Sequence, residues 1–157
     1  MNINVTVRGL DEAIQALETY SSGIKQKVQE LCRRLTQFGL LLAQVSYEGA
    51  AYDGTKDIQV TVEETDNGYK IVASGAAVLF VEFGAGMTLG YGHPQAAELG
   101  YGPGTYPGKG HWDDPNGWWI PGTGKHTYGN PPSMTMYNTA KDIQGEIESI
   151  AREVFSA

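Results

Sequence analysis

Residues 58–73 read IQVTVEETDNGYKIVA and carry the clearest fold signal in the chain. Apolar and polar residues alternate on both sides of Asn67-Gly68. Asn-Gly between two alternating runs is the strongest short-range signal for a β-hairpin, because both residues tolerate positive φ. The stretch therefore predicts two antiparallel strands joined by a tight turn.

Amphipathic helices are predicted on both sides of this hairpin. Leu10, Ile14 and Leu17 have helical spacing, and Ser21-Ser22-Gly23 is predicted to end that first helix. A longer helix follows, with an apolar stripe of Ile24, Val28, Leu31, Cys32, Leu35, Leu42 and Val45. Near the C-terminus, Ser133 is placed to cap a last helix. The apolar stripe of that helix is Met136, Ala140, Ile143, Ile147, Ile150 and Val154.

Two further segments complete the predicted order. Ile3, Val5 and Val7 alternate with polar residues as in a short strand, and residues 76–83 are apolar enough for a strand or a short helix. Helices packed on a small antiparallel sheet make an α+β fold, and 157 residues suit one domain. We expect a single α+β domain over residues 1–157, with two or three helices packed on the sheet.

The composition of residues 84–133 differs from the rest of the chain. This segment holds 13 of the 21 glycines, and all of the prolines, tryptophans and histidines. Loops of more than about 12–15 residues without secondary structure are uncommon, and they are usually functional or disordered. We expect a long loop inserted before the C-terminal helix, and we expect that deleting residues 90–125 leaves a folded core.

The glycines of this loop do not match a cofactor-binding motif. A P-loop needs Gly, four residues and then Gly-Lys-Ser/Thr. Lys109 and Lys125 each follow a glycine, but neither is followed by Ser or Thr. The spacing of Gly84, Gly86 and Gly90 also departs from the dinucleotide-binding pattern. We therefore expect no cofactor.

Other side chains of the loop leave three alternatives open. Imidazoles and carboxylates are zinc ligands, so a metal-dependent hydrolase could use His93, His111, Asp113 and His126, although their spacing matches no local zinc pattern. Tyr and Trp anchor protein interfaces, and the candidates for such contacts are Tyr91, Tyr101, Tyr106, Trp112, Trp118, Trp119 and Tyr128. The three tryptophans could instead stack on sugar rings in a glycan- or cell-wall-binding module. The aromatic side chains could also form a small core for the loop itself.

The charge and the single cysteine narrow the classes of partner. Eleven basic and 18 acidic side chains give a formal charge of −7, and no basic cluster exists beyond Arg33-Arg34, so sequence-specific nucleic-acid binding is not expected. An acidic surface would let DNA slide past without sticking.

Cys32 lies on an apolar helical stripe and is expected to be a buried thiol. The chain shows no signal peptide and no apolar run near the ~20 residues that cross a bilayer, so we expect a soluble protein from a reducing compartment, without membrane contact.

Two short motifs resemble a known family. The segment Val81-Glu82-Phe83-Gly84-Ala85-Gly86 is followed by a Gly/Pro-rich loop and then by Gly129-Asn130-Pro131-Pro132-Ser133-Met134. This arrangement is similar to the gp-ten-like tail-component family of long-tailed bacteriophages, whose members carry V-E-F-G-T-G and G-x-P-A-x-P-F-M. Ala85 replaces the usual threonine, and Ser133-Met134 stand where Pro-Phe is more common. The resemblance covers most of the chain.

The resemblance implies a non-enzymatic structural protein of the virion, made in the host cytoplasm and located at the head–tail junction or tail. It implies a ring of copies, such as a hexamer, that contacts other neck, connector or tail-tube proteins while DNA passes through. Glu82 and Phe83 join the candidate interface residues. Glu82 has apolar neighbours on both sides, and a charge in that position needs a partner or exposure. It is either a hydrogen-bond anchor for the glycine turn at residues 84–86 or a solvent-facing strand residue.

Overall fold

The computed structural model describes residues 9–102 and 114–156. Helices and antiparallel two-stranded sheets make up this part of the chain, which confirms the predicted α+β class. The helices are α1 (Leu10–Gly49), α2 (Val78–Phe83), α3 (Ala96–Leu99) and α4 (Thr135–Ser156), and the strands are β1 (Gln59–Thr65), β2 (Gly68–Ser74), β3 (Trp118–Trp119) and β4 (His126–Thr127). The strand predicted at Ile3, Val5 and Val7 lies outside the described residues.

The hairpin predicted around Asn67-Gly68 is confirmed. Strands β1 and β2 pair antiparallel, from Gln59 opposite Ser74 to Thr65 opposite Gly68. Gly68 has a φ of 144°, which side-chain-bearing residues rarely adopt, so the turn depends on this glycine.

The predicted helix end at Ser21-Ser22-Gly23 is wrong, because α1 continues unbroken for 40 residues from Leu10 to Gly49. Glycine lowers helix stability by about 1 kcal/mol relative to alanine, and serine by less. Residues with helical preference on both sides of the tripeptide outweigh that loss. At 1.5 Å per residue, α1 is about 60 Å long.

Helix α4 and the β1–β2 hairpin both pack on the C-terminal part of α1. The two helices are antiparallel, because Ser46 Oγ lies 2.8 Å from Thr135 Oγ1 while Lys27 Nζ donates to the Phe155 carbonyl at 3.3 Å. Lys27 therefore marks the level of α1 at which α4 ends.

Gly39 lies where α1, α4 and β2 meet. A Cβ at this position would lie within about 3 Å of the side chains of Ile143 on α4 and Ile71 on β2. The absence of a side chain allows both elements to approach α1 at one level. The predicted stripe of α4 therefore faces α1 at Ile143.

The core of the described chain is small. Its buried apolar residues are Ala43, Tyr47, Ala77, Val81, Phe83, Ala85, Trp118 and Val154. Tyr47, Ala77 and Val81 form one cluster that joins α1 to α2. Cys32, expected to be buried, is only partly so and lies beside the hairpin turn. None of the helices in the described ranges has the length and apolar character that a bilayer span requires.

The segment at residues 76–83, predicted as strand or short helix, contains helix α2. The described part of the long loop is also ordered into α3, β3 and β4. The loop is closed at its base by a bridge between Ala85 and Asn130, whose two N···O distances are 2.9 and 3.0 Å. Because His93 and Trp118 are buried, deleting residues 90–125 would remove side chains from the interior, and the expectation that a folded core remains stays a prediction.

Candidate functional site

The two motifs that carry the family resemblance meet in space. Ala85 in the first motif pairs with Asn130 in the second. The backbone N–H of Ser133 donates to the Val81 carbonyl at 2.8 Å. Residues 81–86 and 129–134, here called the junction, therefore form one structure, although the whole loop lies between them.

Glycines of both motifs allow this close approach. Gly129 has a φ of 103°, and a Cβ there would overlap the Ala85 carbonyl group. Gly86 has a φ of 88°, and a Cβ there would overlap the Tyr128 carbonyl. Only glycine combines a positive φ with space for a second backbone at this distance. The motif glycines thus serve the closure of the loop.

Glu82 is the buried centre of the junction, with 5% of its surface exposed. Its carboxylate accepts the backbone N–H of Met136 at 3.0 and 3.1 Å, the N–H of Tyr137 at 3.2 Å and the hydroxyl of Tyr47 at 3.0 Å. The first N–H groups of a helix lack partners within the helix, and the helix dipole favours a negative charge there. Glu82 therefore caps α4 from α2.

This arrangement corrects two sequence-based interpretations. Glu82 is neither an anchor for the glycine turn at residues 84–86 nor a solvent-facing strand residue. Ser133 was predicted to cap the last helix, but its Oγ lies 2.9 Å from Thr135 Oγ1 while Glu82 accepts the helix N–H groups. Spacing along the chain predicts caps only from adjacent residues, and this cap comes from a distant one.

His93 packs against Glu82 with both ring nitrogens engaged. Nε2 lies 3.4 Å from Glu82 Oε1, and Nδ1 lies 3.2 Å from the backbone nitrogen of Gln95. Because a backbone N–H can only donate, Nδ1 is the acceptor and the proton is on Nε2, facing the carboxylate. This imidazole has no nitrogen left for a metal or a substrate.

Tyr47 completes the buried cluster on the side of α1. Burial, and then the neighbouring carboxylate of Glu82, raise the pKa of Tyr47 well above its ordinary value. The hydroxyl therefore remains protonated and donates to Glu82. Sequence analysis missed Tyr47, because nothing in its local pattern distinguishes it from other aromatic residues on a helix.

The side chains of the metal hypothesis are not brought together in the part of the chain that the structure describes. His93 belongs to the junction, whereas His126 lies on β4 between two aromatic rings. His111 and Asp113 lie outside the described residues. Within residues 9–102 and 114–156, no group of three or more His, Cys, Asp or Glu side chains could hold a metal ion.

The candidate interface residues fall into three groups. Glu82, Phe83 and Trp118 are buried within the chain, so they support the loop from inside and present no free surface. Four others are exposed and available for contacts: Tyr91, Tyr101, Trp119 and Tyr128. Tyr106 and Trp112 lie outside the described residues.

Trp119, His126 and Tyr128 form an exposed aromatic row on the β3–β4 hairpin. The Trp119 and His126 ring centroids are 5.2 Å apart and those of His126 and Tyr128 are 5.1 Å apart, both with edge-to-face geometry. Trp119 is 66% exposed and Tyr128 57%. Trp118 is buried because successive strand residues face opposite sides. Trp118 and Trp119 therefore do not make one flat stacking platform.

A cavity of about 270 Å³ lies behind the row, against Trp118. Its wall is largely aromatic and aliphatic, with Tyr52, Phe80, Trp118 and Ile120 among the lining residues. The Asp57 carboxylate, also on the wall, accepts the N–H groups of Ala77 and Ala76 at 2.9 and 2.7 Å, and these bonds lower the pKa of Asp57. Asp57 thus serves the turn before α2.

No family model matches the chain, and neither a curated protein nor a solved structure gives a significant match. Among the described residues, the junction and the aromatic row are the two features that bear on function.

Proposed function

We propose that this protein is a non-enzymatic structural component of the head–tail junction or tail of a long-tailed bacteriophage, where its copies assemble as a ring around the DNA path. The observation that carries the proposal is the junction. The two motifs that resemble the phage family are used together there, since they close one loop, and that loop carries the aromatic row. A shared structural use makes a chance occurrence of both short motifs less plausible.

The aromatic row supports a role in subunit contact. Trp and Tyr are enriched at the centres of protein interfaces, because they bury a large area with few rotatable bonds. Trp119 and Tyr128 are more than half exposed in the single chain, and their edge-to-face packing on His126 orders them before any partner binds. A preorganised aromatic surface loses little side-chain entropy on association.

The state of the junction's polar groups is consistent with a role without catalysis. Glu82 accepts hydrogen bonds from α4 and Tyr47, and His93 has both nitrogens engaged. A general acid or base must be able to reach the proton of a substrate. These side chains stabilise the fold instead. The charge of −7 also suits a ring through which DNA passes without being bound.

The experiment is complementation of a phage that lacks this gene. Trp119→Ala combined with Tyr128→Ala should leave the protein folded and reduce the yield of particles with joined heads and tails. Tyr69→Ala, a partly exposed tyrosine on the β1–β2 hairpin, is the matched control and should complement normally. Mass spectrometry of wild-type virions should detect the protein. Its absence from intact particles would refute the proposal.

A glycan-binding module is the second candidate, and the exposure of Trp119 is the observation that favours it. An exposed tryptophan flanked by aromatic rings can stack on a sugar. Titration with soluble cell-wall glycans should then quench tryptophan fluorescence in the wild type and not in Trp119→Ala. Unchanged fluorescence at millimolar glycan would eliminate this candidate.

A further inference from the structure

The first part of α1 extends beyond α4 and the β1–β2 hairpin, the elements that pack on the rest of this helix. Lys27 contacts the end of α4, and Lys25 lines the groove beside the hairpin turn, so residues 10–24 lie past both. This projecting segment nevertheless carries large exposed apolar side chains. They are Ile14, Leu17, Tyr20 and Ile24, of which Leu17 is 68% exposed.

The apolar residues of α1 follow a heptad repeat that continues through this segment. Alternating steps of three and four residues connect Ile14, Leu17, Ser21, Ile24, Val28, Leu31, Leu35, Phe38, Leu42 and Val45. A repeat sustained over more than three heptads is the signature of a coiled coil. The residues of this seam are half-buried from Leu31 to Leu42, whereas from Ile14 to Val28, and again at Val45, they are exposed.

We propose that residues 11–28 of α1 pair with the same segment of a second copy as an antiparallel two-stranded coiled coil. The charges of the segment favour this orientation. Asp11 and Glu18 flank the seam in its first half, and Lys25 occupies the equivalent heptad position in its second half. Antiparallel pairing places Asp11 beside Lys25 of the partner at both ends, whereas in a parallel pair these acidic and basic positions face uncharged side chains and gain no ion pair.

The apolar layers match in the same register. Ile14 lies opposite Ile24 of the partner, and Leu17 lies opposite the partner's Ser21, so each layer contains at least one large apolar side chain. The arrangement has a two-fold axis near residue 19, and Glu18 lies close to its own copy. Such a contact uses the same patch on both chains and closes at two copies.

This pairing is independent of the proposed phage function. It uses α1, whereas the proposed ring contact uses the aromatic row on the β3–β4 hairpin. Either proposal can therefore fail without the other. The segment is short for a stable interface, so we expect a dissociation constant in the micromolar range.

The first test is sedimentation of the full chain over a range of concentrations. The wild type should form dimers, and Leu17→Asp should abolish them while leaving the circular dichroism spectrum unchanged. Leu41→Asp is the matched control, because Leu41 is a similarly exposed leucine of α1, at 63%, that lies off the heptad seam. Ser21→Leu fills the polar layer and should tighten the dimer about tenfold or more. A wild type that stays monomeric, or dimers that survive Leu17→Asp, would overturn the proposal.

A charge exchange tests the orientation. Lys25→Glu should weaken the dimer about tenfold, because each end then brings two acidic side chains together. Asp11→Lys combined with Lys25→Glu restores opposite charges only in an antiparallel pair, and it should recover wild-type association. Failure of the double variant to recover would contradict the antiparallel register.

Cross-linking distinguishes the two-fold pair from a ring. On a Cys32→Ala background, Glu18→Cys should be linked to its own copy by a short bismaleimide. Thr19→Cys, which lies on the opposite side of the helix from the seam, should not be linked. An assembly larger than a dimer in which residue 18 does not link to itself would mean that α1 packs on a different surface of its neighbour, and it would overturn the antiparallel pairing.

Discussion

Replacing Glu82 by Gln tests whether one buried carboxylate holds the junction to α4. The amide keeps the shape and one acceptor oxygen but turns the other oxygen into a donor. In the native structure both oxygens face donors, namely the N–H groups of Met136 and Tyr137, the hydroxyl of Tyr47 and Nε2 of His93. At least one of these buried donors must therefore lose its acceptor in the variant.

The expected cost follows from three contributions. A buried donor left without an acceptor costs about 1–3 kcal/mol, and loss of a negative charge at a helix N-terminus costs about 0.3–1 kcal/mol more. A neutral side chain is easier to bury than a charged one, which offsets part of this loss. We expect the free energy of unfolding to fall by about 2 kcal/mol, equivalent to a fall in Tm of about 6 °C for a chain of this length.

Urea unfolding at neutral pH, followed by far-ultraviolet circular dichroism, measures this difference. Protein concentration must be the same for all variants, because association adds to apparent stability. Glu98→Gln, in an exposed position on α3, is the matched control and should change stability by less than about 0.5 kcal/mol. A Glu82→Gln variant as stable as this control would refute the capping role of Glu82.

Three further predictions concern the same fold. The raised pKa of Tyr47 stabilises the fold below the unfolded value of about 10, and this stabilisation is lost as pH rises further. Above that pH, urea unfolding should show a steeper fall in the free energy of unfolding for the wild type than for Tyr47→Phe. Gly129→Ala should lower the free energy of unfolding, measured by calorimetry, by about 3 kcal/mol or more, because the added Cβ would overlap backbone atoms. Gly124→Ala, which has open space around it, should cost about 1–2 kcal/mol. Equal losses for the two variants would contradict the close approach at the junction. Ile143→Asp should lower the free energy of unfolding by about 4 kcal/mol or more, because it places a charge against α1. Ile147→Asp, at a position that is 44% exposed, should lower it far less. Similar urea midpoints for the two variants would show that the described packing of α4 is incorrect.

Local patterns in the sequence predicted several elements correctly. Alternation around Asn67-Gly68 predicted the hairpin, and the apolar stripe after residue 133 predicted α4, because both signals depend only on neighbouring residues. The heptad seam of α1 is also present in the sequence. Ser21-Ser22-Gly23 locally disfavours a helix and so predicts a break, whereas the repeat and the helix both continue through this tripeptide.

What each residue does in the junction was decided by the tertiary structure. Glu82 caps a helix that begins more than fifty residues later, and no spacing rule connects the two segments. Trp118 and Trp119 are neighbours in sequence, yet one lies inside against the cavity and the other lies in the exposed row. The periodicity of apolar residues determines which elements form, because the geometry of a helix or a strand repeats every few residues. Contacts between distant segments depend on how the whole chain packs, and only the folded structure determines those.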